Sequence, residues 1–588
     1  MTGLSLRFFR LVGSVFLAGV YLLCPAGAAL AQGPTKTATP TETFSMLREE
    51  GRVKSGQEFF KGAHYVGSKT CKSCHEQQYE EWRATWHSKM ERWPSPDVIV
   101  GDFNDRVVTY KNVKVKGKDG KEVKLTFSVK AFRKGGKFFF TVLDKDDPKN
   151  NQTFEIAKVL GGKWDQHYEI KVGDNYLPTL LRWSVENGDW LATSYNPKFW
   201  VKDDGTPDGR PRKVGELPKY RFAEAKCANC HTTGFEFSKD TKTGVWKAKG
   251  RGEIAIACEK CHGPGDRHVK EANAAKASGK VLKPGTSTIV HPLKDLNPLQ
   301  QTQVCAQCHG RNTNKKIKEI AFPLHFLPGD VDMTDRSMFW SYSGTHKKKQ
   351  YTYFWPNDWA KRNRQQWQDF TKSTHFNTAS MSCLTCHTFH GEWEEAQLRM
   401  KPEKLCVSCH SENGYARRPN AEMYAGSPME KAGVRCVDCH MAKIGYRSNK
   451  TAKKPHPWDV SSHTFMVATP ILQLTSGMRS ACVACHGEGV KPLPHLKKGI
   501  EVPAFTLEEL RALRADKRAT IRSMIDEVRA VLSTIESERP YIRARVERAD
   551  SMVDFVLLDR SMGLHNFEKA SEMLEEALKL AKRAAKMR

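Results

Sequence analysis

Eight times this chain sets two cysteines three residues apart and follows the second directly with a histidine. The sets are Cys71, Cys74 and His75; Cys227, Cys230 and His231; Cys258, Cys261 and His262; Cys305, Cys308 and His309; Cys383, Cys386 and His387; Cys406, Cys409 and His410; Cys436, Cys439 and His440; and Cys482, Cys485 and His486. Two thiols at this spacing can each form a thioether to one vinyl group of a haem, and the histidine that follows can then ligate the iron from the proximal side. A zinc site or a redox dithiol needs only the cysteine pair and does not call for histidine after each one. Here no pair lacks it. The expected cofactor is therefore eight covalently attached haem c, held by sixteen of the seventeen cysteines.

The remaining cysteine, Cys24, lies in a segment with Arg7 and Arg10, an apolar run from Leu11 to Leu23, and Ala29-Leu30-Ala31. This reads as a secretory signal peptide over residues 1–31, cleaved before Gln32. The apolar run is short for a membrane span and stops at Pro25. Lipidation at Cys24 is disfavoured by bulky Leu23. Export to the periplasm or beyond follows, with no membrane-spanning segment after cleavage. The formal charge is +28. Loss of the two leader arginines, and sixteen propionates from eight haems, would bring the holoprotein to about +10, a balance that suits acidic partners. The expected partners are other redox proteins, such as acidic cytochromes or quinol-linked membrane donors. No nucleic-acid motif accompanies the charge.

The elements that must position these motifs fall into segments. Residues 32–95 read as a flexible leader and the first haem segment. Residues 96–205 carry no motif and read as a β-rich insertion: Val113–Lys116, Lys124–Phe132 and Lys137–Leu143 have strand composition, with turns at Asp119-Gly120 and Gly135-Gly136. Residues 206–500 hold haems two to eight with little periodicity, so the haems themselves would form much of the core. Residues 501–588 turn helical. Thr506 and Glu509 make a capping box, and Ile521, Met524, Ile525, Val528, Val531, Leu532 and Ile535 share one face. Pro540 breaks that run, and further helices are expected over about 541–560 and 566–586. The fold class is a multihaem cytochrome c: mainly α with little regular structure around a haem core, a small β-rich insertion, and a C-terminal helical bundle.

Several motif surroundings resemble known families. His64 to Cys71 and on to Trp86-His87, the run Cys227-Ala-Asn-Cys-His-Thr-Thr-Gly, the run Cys258-Glu-Lys-Cys-His-Gly-Pro-Gly with His268, and Val304-Cys-Ala-Gln-Cys-His are similar to multihaem cytochromes like the tetrahaem carrier of ammonia oxidisers. Cys383–His387 with His390-Gly391, Cys406–His410, Cys436–Met441 with Ser462-His463, Cys482–His486 and His565-Asn566 resemble the core shared by pentahaem nitrite reductase and octahaem hydroxylamine oxidoreductase. The resemblance implies distal iron ligands at His87, His268, His375, His390, His463 and His565. His64 and His291, close to motifs, come next. His167, His325, His346, His456 and His495 rank below them as surface or supporting residues, and Met90 as core filler.

The departures from those families bear on activity. No Cys-x-x-Cys-Lys motif occurs, Ser427-Pro428-Met429 stands where nitrite reductases carry a catalytic histidine, and Ser411 to Tyr415 replaces an aromatic stretch. Tyr541, the only tyrosine after His486, reads as a packing residue at a helix start rather than a haem cross-link. Trp82, Trp86, Trp93, Trp355, Trp359 and Trp367 read as haem packing. No catalytic residue is assigned. The expected function is electron relay through closely packed haems. The alternatives are an oxidoreductase acting on nitrite, hydroxylamine or a sulfur oxyanion at one open haem, placed by resemblance at the fourth motif, and a homo-oligomeric subunit of an extracellular filament.

Overall fold

The computed structural model of the chain describes residues 51–587, except 117–119, 193–198, 204–208, 251, 283–284, 318, 331–332, 334–336, 340–352, 379–380, 392–393, 447–458 and 492. The leader, Cys24, His346 and His456 lie outside the described residues. Regular structure begins with short helices around the first motif, including α1 (Glu76–Ala84). The chain then enters a meander of β2 (Arg106–Lys116), β3 (Glu122–Lys134), β4 (Lys137–Leu143), β5 (Gln152–Gly161), β6 (Asp165–Val172), β7 (Asn175–Ser184) and β8 (Asp189–Ala192). Each strand pairs antiparallel with the next, and the short β1 (Glu91–Arg92) joins β5 beyond the point where β4 ends. The β3–β4 turn has Gly135 and Gly136 at φ 57° and 75° between paired Lys134 and Lys137. Both central residues of such a tight turn need the left-handed region, which only glycine enters freely.

The β-rich region expected from the sequence is this sheet, which also takes in β1 from just before residue 96. Aromatic rings fill one side of it. Phe103, Phe140, Tyr168 and Trp190 meet with ring centroids 5.2–5.7 Å apart, mostly edge to face, an arrangement that adds to area burial. The Tyr110 hydroxyl donates to the Leu180 carbonyl at 2.7 Å, so the sheet curls until β2 faces β7.

After the sheet, regular elements are short and the motifs dominate. The exceptions are α2 (Asp266–Ala277) and α3 (Pro298–His309), the latter started by Pro298 and an Asn297–Gln300 capping box. The chain closes on α4 (Leu507–Leu532), α5 (Pro540–Asp559) and α6 (Phe567–Lys586). The capping box at Thr506 and Glu509 forms, and Ile521, Ile525 and Val528 are buried against Val553, Val556, Ala570, Leu574 and Ala577. Among the described residues no helix is long and apolar enough to cross a membrane.

Candidate functional site

Each motif is built as a single helical turn. In the first, fifth, sixth and eighth motifs the histidine N–H closes onto the carbonyl of the first cysteine: His75 to Cys71 at 2.9 Å, His387 to Cys383 at 3.0 Å, His410 to Cys406 at 2.9 Å and His486 to Cys482 at 2.8 Å. Residues three apart on such a turn lie on one side, so both sulfurs can face one porphyrin edge. The second motif is tighter, with His231 bonded to Ala228. All sixteen motif cysteines are free of disulfides. Packing around the motifs is close. Gly263, directly after His262, has φ 80°, and the Phe60 ring occupies the space a β-carbon would need.

The motif histidines are prepared as metal ligands. Six have Nδ1 beside an oxygen that accepts its proton: His231 with Met90 O (3.4 Å), His262 with Val290 O (2.7 Å), His387 with Ala396 O (3.1 Å), His410 with Asn420 Oδ1 (3.1 Å), His440 with Phe465 O (3.1 Å) and His486 with Pro503 O (3.0 Å). A carbonyl oxygen only accepts, so Nδ1 holds the proton and Nε2 is left for iron, the usual outer arrangement of a metal-bound histidine. Burial favours the neutral, ligating form at His231, His262, His387, His410 and His440, and pushes His231 and His262 down to about 4.

Five motif histidines face a second histidine. Ring centroids are 6.2 Å apart for His75 and His268, 6.2 Å for His309 and His87, 6.3 Å for His262 and His390, 5.9 Å for His410 and His375, and 6.0 Å for His440 and His565. Two metal–imidazole bonds of about 2 Å, plus about 1.1 Å from each nitrogen to its ring centre, span roughly 6.2 Å, the width of one iron between two imidazoles. Haem c therefore fits the donors present. Among the described residues no three His, Cys, Asp or Glu side chains converge as ligands on one point; the histidines meet in twos.

The other candidates are placed differently. His463 is partly buried and lies near His387, with Nδ1 bonded to Ser461 O at 3.3 Å. His291 lies beside the His262–His390 pair without facing a motif ring. His64 is exposed and tied by its backbone N–H to Asp266, at the start of the helix that carries His268. His495 is bonded to Asp438 at 2.8 Å. Met90 takes part through its carbonyl. Trp355, Trp359 and Trp367 are buried, whereas Trp86 and Trp93 are 36% and 58% exposed. Ser427 caps a helical turn through Glu430 N, and Tyr541 is 45% exposed at the start of α5.

Sequence reasoning ranked His167 low, yet β6 carries it toward the second motif. Alternation along β6 sends Tyr168 and Ile170 into the aromatic core and Asp165, His167 and Glu169 to the other face. That face is partly buried as well. Arg182 pairs with Asp165 at 2.9 Å and Lys158 with Glu91 at 2.5 Å, while both Glu169 oxygens are buried without a hydrogen-bond partner. Lys158 and His167 both lie within electrostatic reach of His231. The strand alternation was the signal that could have found His167.

The motifs also touch one another. Thiols of different motifs lie close enough to act on one another at Cys71 and Cys258, Cys230 and Cys308, Cys305 and Cys383, and Cys406 and Cys436. Cys261 lies near Cys305 and Cys308, Cys386 near Cys409, and Cys439 near Cys482 and Cys485. Motifs one, three, four, five, six, seven and eight thus form a continuous series, with the second motif beside the fourth.

Paired histidines behind cysteine pairs, in a series without breaks, define a multihaem c-type cytochrome with covalently bound haem. The chain belongs to the cytochrome c552 family, whose profile matches residues 223–588; the profile described as cytochrome c554 and c-prime matches residues 70–98. No curated protein matches the sequence. Among solved structures the chain is similar to the outer cell wall cytochrome OcwA, at 21% identity over 89% of this chain and 99% of that one, with a TM-score of 0.56. A further structure, the octahaem sulfite reductase MccA of Wolinella succinogenes, aligns at 15% identity over 92% of this chain and 85% of that one, with a TM-score of 0.41. The likeness to OcwA is one of fold.

Proposed function

We propose that the protein is an exported octahaem cytochrome that relays single electrons along the series of motifs between redox partners. The observation that carries this reading is the pairing of motif histidines with second histidines at the width of one iron. An iron with both axial positions filled exchanges electrons without binding a substrate. The fourth motif weighs most, because the resemblance puts an open haem there and it is the one His87 faces. Haem supplies the one-electron chemistry. The chain's own residues orient Nε2 through the acceptors on Nδ1 and bring neighbouring attachment points together.

In this reading His87, His268, His375, His390 and His565 are distal ligands to haems four, one, six, three and seven, and His463 serves the fifth. The donors and acceptors are other redox proteins, drawn to a basic surface. Paramagnetic resonance of the oxidised holoprotein tests the reading: low-spin signals should dominate, and mass spectrometry should show eight haems per chain. Reduction by viologen should be fast, with negligible turnover of nitrite or hydroxylamine. Robust turnover, abolished by changes around the fourth motif alone, would replace electron relay with the enzyme reading.

A further inference from the structure

Among the described histidines that face a motif ring or belong to a motif, His565 differs in what its Nδ1 meets. The six motif histidines described above, together with His463 and His268, meet neutral oxygens: backbone carbonyls, the Asn420 amide, and for His268 the Ser287 hydroxyl at 2.8 Å. His565 meets a carboxylate, with Nδ1 2.5 Å from Asp559 Oδ1. Asp559 is the last residue of α5 and only 2% exposed, so water does little to weaken its charge. Its other oxygen accepts from Ser561, through both the hydroxyl and the backbone N–H. Asn420 Nδ2 donates to the Asp559 carbonyl at 2.7 Å and to Oδ1 at 3.1 Å, which turns Asn420 Oδ1 toward His410. A continuous hydrogen-bonded path therefore runs from His410 of the sixth motif through Asn420 and Asp559 to His565, which faces His440 of the seventh.

We propose that Asp559 is a positioning residue that sets the reduction potential of the seventh haem below the value a neutral acceptor would give, and through Asn420 lowers the sixth to a smaller extent. The inference rests on reading His565 as the distal ligand of the seventh haem. A carboxylate that accepts the Nδ1 proton makes the imidazole a stronger donor, and a stronger donor favours ferric over ferrous iron. The pair would hold the oxidised form at this point of the series, next to the terminal eighth motif, and so favour passage of an arriving electron onward rather than its retention.

Redox titration of the full-length holoprotein tests this, followed optically and by paramagnetic resonance. Asp559→Asn keeps the shape and an oxygen acceptor but removes the charge. Eight low-spin-competent haems should remain attached, and one should move to higher potential by about tenfold in its reduced-to-oxidised ratio at fixed potential, ~59 mV for one electron. A second haem should move less, in the same direction. Ser561→Ala, a mild change that removes a donor competing for the carboxylate, should shift the same haem slightly the other way. His565→Ala separates the two readings: if it creates no high-spin haem, the ligand assignment fails. If it does, and Asp559→Asn and Ser561→Ala both leave the titration unmoved, Asp559 merely packs and the inference falls.

Discussion

The sheet and the motif-bearing region bury their chains in opposite ways. One cluster of 23 buried apolar residues, most of them from the sheet, fills its interior, including six phenylalanines, two tyrosines and two tryptophans. The largest cluster formed within the motif-bearing region holds seven residues, among them Trp355, Trp359 and Met478, and the others are smaller. Strands in the sheet reach 13 residues, while most helices that carry motifs have four to six. The sheet is a fold that pays its own ordering cost, whereas the motif region lacks the apolar area to do so and must draw its core from haem.

That contrast can be broken most directly by withholding haem. Protein made without haem attachment should lose hydrogen-exchange protection from about residue 223 to 490, while β2–β8 stay protected. Equal loss in both regions would show that the sheet also depends on haem. Within the sheet, Phe140→Ala removes a ring at 2% exposure and should cost about 3–5 kcal/mol by thermal or denaturant unfolding, with the haem absorption spectrum unaltered. His463→Ala should do the reverse: it should convert one haem from low to high spin, leave all eight attached, and leave protection of the sheet unchanged.

Glu169 probes the seam between the two regions. Burial raises its carboxyl pKa well above the ordinary glutamate value. The native state therefore holds this proton more tightly than the unfolded chain does, and stability falls as pH rises from the unfolded value toward the native one. Glu169→Gln should raise the melting temperature at and above neutral pH, by the equivalent of about 1 kcal/mol, and the gain should vanish below about pH 4. A gain that persists in acid would mean that packing, not charge, limits this site. The smallest effect belongs to the C-terminal helices. Thr506→Ala removes an exposed N-cap and should cost about 0.5 kcal/mol without touching any haem signal.

Much of the site was legible because covalent attachment writes itself into local spacing. A thioether pair and its histidine occupy five consecutive residues, so no folding was needed to find Cys71 to His75 or any of the other seven motifs. The helical periodicity around Ile521 and Ile525 and the tight turn at Gly135-Gly136 were readable for the same reason. Local geometry dictates them. The second histidines that face motif histidines could be reached only through resemblance, since His87 lies 222 residues from His309 and no local rule joins them.

The sequence by itself determined the chemistry: which residues can bind haem, how many attachment points exist, and which stretches prefer strand or helix. Tertiary structure decided the pairings. It sets His268 against His75 and His565 against His440, brings the second motif to the fourth, and turns His167 on β6 toward His231. It also hands His565 to a buried carboxylate while His410 receives an amide. Such contacts depend on how segments hundreds of residues apart pack together, and that packing is a property of the whole fold, which spacing within a motif cannot encode.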